Sequence, residues 1–179
     1  MKKAFTSSVL KIVPMHIEQA LPGDAQTVAA VLTEAAQWLA ADGRPLWTAP
    51  DIGFERVSRD VEAGRYFIAR DPAHGNEAAG VMRLDLEDPF FWPEIAPGSS
   101  AFVHKLAVSR RWAGRGVSTA LLAFARERAL GLGRRHLRLD CVADRAPLRT
   151  LYERFGFSLH SEIQKGNSSF ARYELPLGS

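Results

Sequence analysis

The chain has 179 residues, 46% of them hydrophobic and 24% charged, a composition typical of one globular domain. Its net charge of +3 is too small to indicate a nucleic-acid-binding protein, and its one cysteine excludes an intramolecular disulfide and a multi-cysteine zinc site. No metal site is predicted. No apolar run approaches the roughly 18 residues of a membrane span, and the N-terminus lacks the apolar stretch of a signal peptide, so we expect a cytoplasmic protein.

The first half of the chain is predicted to contain two helices followed by a β-hairpin. Asp24 is the expected N-cap of the first helix and Gly43 its end, because the apolar residues between them recur at helical spacing. The predicted elements are a tail at 1–14, a strand at 16–20, helices at 24–43 and 51–62, and strands at 66–69 and 79–86. Residues 15–179 are predicted to form a single domain.

The second half is predicted to begin with an irregular aromatic loop at 87–100, because three prolines interrupt that stretch. A strand at 101–108 is apolar on both faces, which is typical of the centre of a covered sheet. The elements that follow are a helix from 116 to 131, a strand at 136–142, a helix at 146–155, and strands at 157–163 and 170–175. This order predicts an α/β protein of the α+β type: a mixed, mostly antiparallel sheet with helices on both faces.

The turn between the central strand and the next helix has the composition of an anion-binding site. It reads Arg-Trp-Ala-Gly-Arg-Gly from Arg111 to Gly116. A helix N-terminus offers unpaired amide groups and the positive end of the helix dipole, and Gly114 and Gly116 carry no Cβ atom that would keep a phosphate away. The sequences of a Walker loop and of a dinucleotide-binding fingerprint are both absent here.

This R-x-x-G-x-G turn is followed by Leu-Tyr-Glu-Arg-Phe-Gly-Phe at 151–157, and the pair resembles the GNAT superfamily of N-acetyltransferases. The resemblance covers residues 16–175 and implies a GNAT-like fold with acetyl-coenzyme A as co-substrate. It implies direct transfer of the acetyl group from the thioester to an amine of a small molecule. A non-catalytic acyl-coenzyme A sensor and an acetyltransferase acting on a protein amine are the alternatives. Neither nucleic acid nor a membrane is an expected partner, and a homodimer is left open.

The resemblance also implies where the cofactor binds. The pantetheine arm is expected beside the end of the central strand, with a backbone amide at Leu106 or Val108 polarising the acetyl carbonyl. The pyrophosphate is expected on the amides of the turn, and Arg110 or Arg115 at the 3′-phosphate. Where the family often has an asparagine that contacts the cofactor, this chain has Arg145. The predicted cofactor-binding residues are Leu106, Ala107, Val108, Arg110, Arg111, Trp112, Ala113, Gly114, Arg115, Gly116, Val117 and Arg145.

Two side chains are candidates for proton transfer. Tyr152 matches the tyrosine that many family members use as a general acid toward the departing thiolate, although its helical spacing also suits packing in the core. His104 is the candidate base, because histidine changes its charge near neutrality, and a buried structural histidine is the alternative. Rival bases are Asp85, Glu87 and Asp140. Cys141, on an apolar strand, is predicted to be inert.

The acceptor pocket is predicted over the same strand ends, between the first two helices and the aromatic loop. An acidic and aromatic surface suits a cationic amine, and ordinary core packing is the alternative role for the aromatic residues. The predicted substrate-binding residues are Trp38, Trp47, Asp85, Phe91 and Trp92.

Overall fold

The computed structural model describes residues 14–178, so all but the last residue of the predicted tail at 1–14 lies outside the described residues. The strands are β1 His16–Gln19, β2 Tyr66–Asp71, β3 Glu77–Asp85, β4 Ser100–Val108, β5 His136–Val142, β6 Ser158–Lys165 and β7 Ser168–Pro176. The helices are α1 Ala25–Ala41, α2 Ala49–Ile52, α3 Phe54–Glu62, α4 Val117–Gly131 and α5 Ala146–Phe155. None of the helices within 14–178 is long and apolar enough to cross a membrane.

All seven strands form one sheet in the order β1-β2-β3-β4-β5-β7-β6. Strands β4 and β5 pair in parallel, and the other neighbouring pairs are antiparallel. The parallel pair is a consequence of the connection between them, because a helix that crosses over a sheet returns the chain in the same direction. The prediction of a mixed, mostly antiparallel sheet is confirmed.

Helices cover both faces of the sheet, as predicted. On one face, α1 and α3 bury Leu32 and Val57 against Ile68 and Val81 of the sheet. On the other face, α4 and α5 pack on a larger apolar cluster. The buried residues of that second cluster include Met82, Leu121, Leu122, Leu137, Leu139, Tyr152 and Tyr173. The sheet is therefore the middle layer of three, and its central strands are shielded from water on both sides.

A glycine in β3 lets α4 lie close to the sheet. A Cβ atom on Gly80 would lie 2.8 Å from Cγ1 of Val117 and 2.9 Å from the carbonyl oxygen of Ala107. Both distances are shorter than van der Waals contact, so any larger residue would push the first turn of α4 away from β4. Gly80 thus sets how near the start of α4 comes to the end of the central strand.

One local prediction was wrong, and a second is confirmed in position but not in its hydrogen bond. The single helix expected at 51–62 is divided into α2 and α3, because Gly53 has an extended backbone with φ −63° and ψ 153°. Asp24 is the N-cap residue of α1, as predicted, but its side chain makes no capping hydrogen bond. Its carboxylate instead accepts hydrogen bonds from the amide of Leu21 (2.9 Å) and from Nη2 of Arg70 in β2 (2.7 Å). The competing arginine, distant in sequence, could not be read from the local pattern.

Candidate active site

The central strands β4 and β5 separate at one end of the sheet. Their pairing runs only from Ser100 and His136 to Val103 and Leu139, although β4 continues to Val108 and β5 to Val142. Beyond this point β4 pairs with β3 on one side and has an open edge on the other. An extended ligand can pair with such an edge through backbone hydrogen bonds, as an added strand would.

A β-bulge in β4 lies at the same place. Val81 pairs with Ala107, whereas Arg83 pairs with His104, so β4 has one residue more than β3 between these two pairs. Lys105 has a φ of 49°, which is uncommon for a residue other than glycine. Because the bulge interrupts the alternation of side chains, His104, Lys105 and Leu106 all line one cavity.

That cavity has a volume of about 1450 Å³ and opens where β4 and β5 separate. It extends between the segment joining α1 to α2, the loop between β3 and β4, and the start of α5. Ligand pockets in proteins commonly have ~300–1,000 Å³, so the space suffices for an extended arm and a second small molecule. The predicted site residues that line it are Trp38, Trp47, Asp85, Phe91, His104, Leu106, Ala107, Val108, Ala113, Arg145 and Tyr152.

Two tryptophans of the predicted site are core residues instead. Trp92 is 1% exposed, and its ring lies between the guanidinium groups of Arg138 (4.9 Å) and Arg172 (4.5 Å). In contrast to the expectation, its side chain does not wall the cavity. Trp112 is also 1% exposed and donates its Nε1–H to Oδ2 of Asp71 at 3.0 Å. The amide of Trp112 already donates to the carbonyl oxygen of Ser109 at 2.9 Å, so neither its side chain nor its amide is free for a ligand on the turn.

The glycine turn before α4 presents unpaired amide groups. Gly114 and Gly116 have φ angles of 74° and 81°, and a Cβ atom on either would meet nothing within 4 Å. Within residues 14–178, the amides of Gly114 and of residues 116–119 have no hydrogen-bond acceptor. The first four amides of a helix lack internal partners, so the turn together with the start of α4 has the properties of an anion site. A pyrophosphate fits there.

The arginines around this turn differ in their surroundings. Arg111 donates to Oε2 of Glu77 at 2.6 Å, and its guanidinium lies over the ring of Trp112. Arg110 lies 4.8 Å from the ring centroid of Trp38. Arg115 is exposed and forms no ion pair with any residue that the structure describes. Of the three, Arg115 has the guanidinium most available to a bound phosphate.

A glutamate of α1 holds the end of β4, and its role was not predicted. Oε2 of Glu34 accepts a hydrogen bond from the Ser109 hydroxyl at 2.5 Å, and Oε1 accepts from the amide of Arg110 at 3.2 Å. This carboxylate accepts the hydrogen-bond donors of the chain just after β4 and thereby fixes α1 to the turn. Only the folded chain brings these residues together, since they are more than 70 positions apart.

His104 lies among carboxylates at the point where β4 and β5 separate. Its Nε2 is 3.2 Å from Oδ2 of Asp88, and its Nδ1 is 3.9 Å from Oδ1 of Asp140. Burial raises the pKa of Asp140 to about 6. Burial acts in the same direction on Asp88, but hydrogen bonds from His104 and from the amide of Phe91 outweigh it and lower the pKa of Asp88. The site thus holds one firmly ionised carboxylate and one that titrates near neutrality.

The same group has a geometry that a metal could use, since ligand atoms of Asp88, His104 and Asp140 lie within 4.8 Å of one another. Each member also has a role without one. Asp88 contacts His104 directly and accepts hydrogen bonds from the amides of Phe90 (3.1 Å) and Phe91 (2.9 Å). The expectation that this protein binds no metal stays a prediction.

Asp85, the rival base that was also assigned to the substrate, is held in an ion pair. Its Oδ2 is 2.9 Å from Nη2 of Arg83, and Arg83 reaches Asp60 of α3 at 3.1 Å. His104 is more distant, with 3.7 Å between Nε2 and Oδ2 of Asp85. This arrangement engages Oδ2 of Asp85 with Arg83, whereas Oδ1 of Asp85 and Oδ1 of Asp140 both have no hydrogen-bond partner in the described part of the chain.

Tyr152 combines the two roles that were considered for it. Its ring is buried between Phe157 (6.1 Å) and Tyr173 (6.0 Å), which is a core position. Its hydroxyl makes no hydrogen bond with any residue within 14–178, and the side chain lines the cavity. Burial raises the pKa of Tyr152 above its usual range, so the phenol stays protonated and can act as a donor. Burial likewise raises the pKa of Cys141 to about 12, which makes its thiol a poor nucleophile.

Arg145, predicted to contact the cofactor, bridges two walls of the cavity. Its Nη2 donates to the carbonyl oxygen of Pro45 at 2.8 Å, which joins the start of α5 to the segment between α1 and α2. The side chain is mostly buried and lines the cavity. It defines one side of the opening, whichever ligand lies beneath it.

The arrangement of this cleft corresponds to that of a known family. The sequence model described as the Acetyltransferase (GNAT) family matches residues 32–157. The chain belongs to the GNAT family of acetyltransferases. It is therefore an N-acetyltransferase, its acyl donor is acetyl-coenzyme A, and the predicted GNAT-like fold is confirmed.

Individual relatives of this GNAT acetyltransferase agree with the assignment. It is 29% identical to the uncharacterized N-acetyltransferase YesJ of Bacillus subtilis, over 83% of this chain and 84% of the relative. A GNAT acetyltransferase structure from Listeria monocytogenes has a TM-score of 0.75 at 24% identity, over 91% of this chain and 95% of that one. A putative acetyltransferase of Salmonella typhimurium, solved with its cofactor acetyl-CoA, has a TM-score of 0.70 at 14% identity, over 93% and 95% of the two chains.

Sequence reasoning missed three residues of this GNAT site. Lys105 was missed because nothing in the strand's composition signals a bulge, and Glu34 because its partners are distant in sequence. Asp88 could have been found, since an aspartate followed closely by proline favours a turn in which the carboxylate accepts backbone amides. His104 and Tyr152, the two residues predicted from the sequence to transfer protons, both line the cavity.

Proposed function

We propose that this enzyme acetylates the primary amine of a small molecule that binds between the α1–α2 segment and the β3–β4 loop. The observation that carries the proposal is the position of His104, beside Asp88 and Asp140, on the wall of a cavity beyond the last β4–β5 pair. The bond between Arg145 and Pro45 supports a small acceptor rather than a polypeptide, because it closes one side of the space.

The cofactor would be held by backbone groups. The open edge of β4 at residues 106–108 suits the amide groups of the pantetheine arm, and the amides around Gly114 and Gly116 suit the pyrophosphate. When bound, acetyl-coenzyme A supplies an acetyl group activated as a thioester. The amide of Leu106 or Val108 would donate a hydrogen bond to the acetyl oxygen and stabilise the negative charge that develops there.

His104 is assigned the base. If Nε2–H donates to Asp88, then Nδ1 carries the free lone pair and can accept a proton from the ammonium form of the acceptor. Asp140 lies 3.9 Å from Nδ1, and its pKa of about 6 allows it to share that proton near neutrality. A neutral amine is the form that attacks, so removing this proton is the step in which the chain assists the acceptor.

Tyr152 is assigned the acid. Its phenol has no partner within the described residues and stays protonated because of burial, so its proton is available to a thiolate that leaves in the cavity. General acid and base groups of this kind contribute about 10²- to 10⁴-fold each to a rate. The role of Tyr152 does not conflict with its packing role, since the ring and the hydroxyl serve different contacts.

The test is a panel of primary amines and a matched panel of short peptides with free N-termini, each incubated with acetyl-coenzyme A while thiol release is followed. We expect turnover with members of the amine panel and little with peptides. The His104→Gln variant should lose activity at pH values below the pKa of the acceptor amine, and this loss should shrink above that pKa, where the amine is already neutral. Efficient acetylation of peptides alone would contradict the proposal.

A further inference from the structure

Lys105 is a cation in the cavity that the proposed mechanism does not use. It occupies the bulge of β4, directly after His104, with a φ of 49°. Its half-buried side chain lines the cavity on the side of α2, where Nζ lies 5.0 Å from the ring centroid of Trp47. The bulge therefore presents two consecutive residues, a histidine and a lysine, to the same space.

The ammonium group of Lys105 has no counterion in the described part of the chain. No carboxylate oxygen within residues 14–178 lies within the 4.0 Å of an ion pair, and Nζ donates no hydrogen bond there. Asp51 is the nearest acid by its electrostatic effect, but its carboxylate already accepts from the amide (2.9 Å) and hydroxyl (2.6 Å) of Thr48. A buried cation normally has a partner, because taking a charge out of water is costly.

The charge is nevertheless present at neutral pH. Burial lowers the pKa of Lys105 to about 8, and the neighbouring Arg83 and Arg56 act in the same direction, while Asp51 and Asp140 oppose them. A group with that pKa is still mostly protonated at pH 7. The cavity thus has a positively charged wall at Lys105 and a negatively charged wall at Asp88 beside His104.

We propose that Lys105 binds an anionic group of the acceptor, so that the acceptor is a compact zwitterion of the amino-acid type. Its amine would lie toward His104 and the carboxylates, and its anionic group toward Lys105 and Trp47. Consecutive Cα atoms are ~3.8 Å apart, so the two charged walls are close enough for one small molecule to span both. This inference rests on the proposed acetylation of a small amine and specifies its substrate.

The first experiment compares each standard amino acid with its carboxamide, which keeps the amine and removes the anionic group. We expect kcat/KM to be at least about tenfold higher for the amino acid, and Lys105→Met to abolish this preference, mainly through KM, without changing the affinity for coenzyme A. Methionine matches the length of the lysine stem. Lys165→Met, which removes a lysine outside the cavity, should leave the preference intact. Equal activity of the wild type on amino acids and their carboxamides would overturn the proposal. An equal loss of activity on both substrates in Lys105→Met would overturn it as well.

A second experiment needs neither turnover nor a folded variant. An amine-reactive reagent is added to the wild-type protein, and the modification of Lys105 is followed by mass spectrometry with Lys165 as the internal reference. An amino acid that binds as proposed should slow the labelling of Lys105 severalfold, and its carboxamide should not. If no amino acid protects Lys105 while other amines are acetylated, the inference fails and the proposed function stands. If amino acids protect Lys105 but nothing is acetylated, the proposed function fails alone.

Discussion

His104 of β4 and Asp88 of the preceding β3–β4 loop are in contact, with 3.2 Å between Nε2 and Oδ2. Asp88 is in turn fixed by the amides of Phe90 and Phe91, so the loop between β3 and β4 orients the imidazole. A base that is oriented through one nitrogen has the other free for proton transfer. The aromatic loop therefore positions the imidazole of His104 in addition to lining the cavity.

We expect Tyr152→Phe to reduce turnover by about 10²- to 10⁴-fold with little effect on stability, because phenylalanine keeps the packing volume and loses only the hydroxyl. Steady-state kinetics and thermal melts check this. Tyr173→Phe is the matched control: its hydroxyl bonds to Glu153 (2.7 Å) and Arg149 (2.9 Å), so its loss should lower stability and spare turnover. A change in turnover of Tyr152→Phe below about threefold would make Tyr152 a packing residue.

Replacing Gly114 with valine should weaken coenzyme A binding by at least about tenfold, equivalent to ~1.4 kcal/mol. The new side chain would occupy the space in front of the unpaired amides. A valine at the positive φ of residue 114 would also strain the backbone. Gly133→Val is the control, since Gly133 also has a positive φ (68°) and open surroundings but lies after α4. Calorimetry with coenzyme A should separate the two variants. Equal affinity in both would remove the anion site from this turn.

Gly80→Ala should destabilise the protein by about 1–3 kcal/mol, because the added methyl group would overlap Val117 and the carbonyl of Ala107. It should also weaken cofactor binding by displacing the start of α4. Gly23→Ala, where a Cβ meets nothing within 4 Å, is the neutral control. Urea unfolding measures the stability of both variants. Unchanged stability of Gly80→Ala would mean that α4 can move at no cost.

The stability of the protein should depend on the ionisation of Asp140. Burial raises its pKa from 3.8 to about 6, so the folded state favours the protonated form, and stability is lost as the pH rises through that range. Asp140→Asn removes this loss. We expect the variant to gain up to ~3 kcal/mol over the wild type at pH 7.5 and to gain little at pH 4. Urea unfolding at the two pH values measures this gain. A difference in the free energy of unfolding between variant and wild type that is the same at both pH values would contradict the burial effect.

The part of the fold that follows from nearby residues was predicted correctly. Apolar periodicity placed the strands and most helices, and the R-x-x-G-x-G turn before α4 together with residues 151–157 indicated the family. There are two exceptions. Gly53 has an extended conformation that divides the second helix, and the carboxylate of Asp24 accepts from Arg70 instead of capping its own helix. In each exception a single backbone angle or a distant partner outweighed the local pattern.

The sequence by itself determined the family and the order of elements, because each depends on short patterns of neighbouring residues. Only the tertiary structure decided which side chains meet in the cavity. The bulge that brings His104 and Lys105 to one face arises from the pairing of β4 with β3, and Asp88 and Asp140 reach His104 from a loop and a separate strand. Of two adjacent aromatic residues in the β3–β4 loop, Phe91 lines the cavity and Trp92 packs in the core. The path of the folded loop decides which way each of the two side chains points.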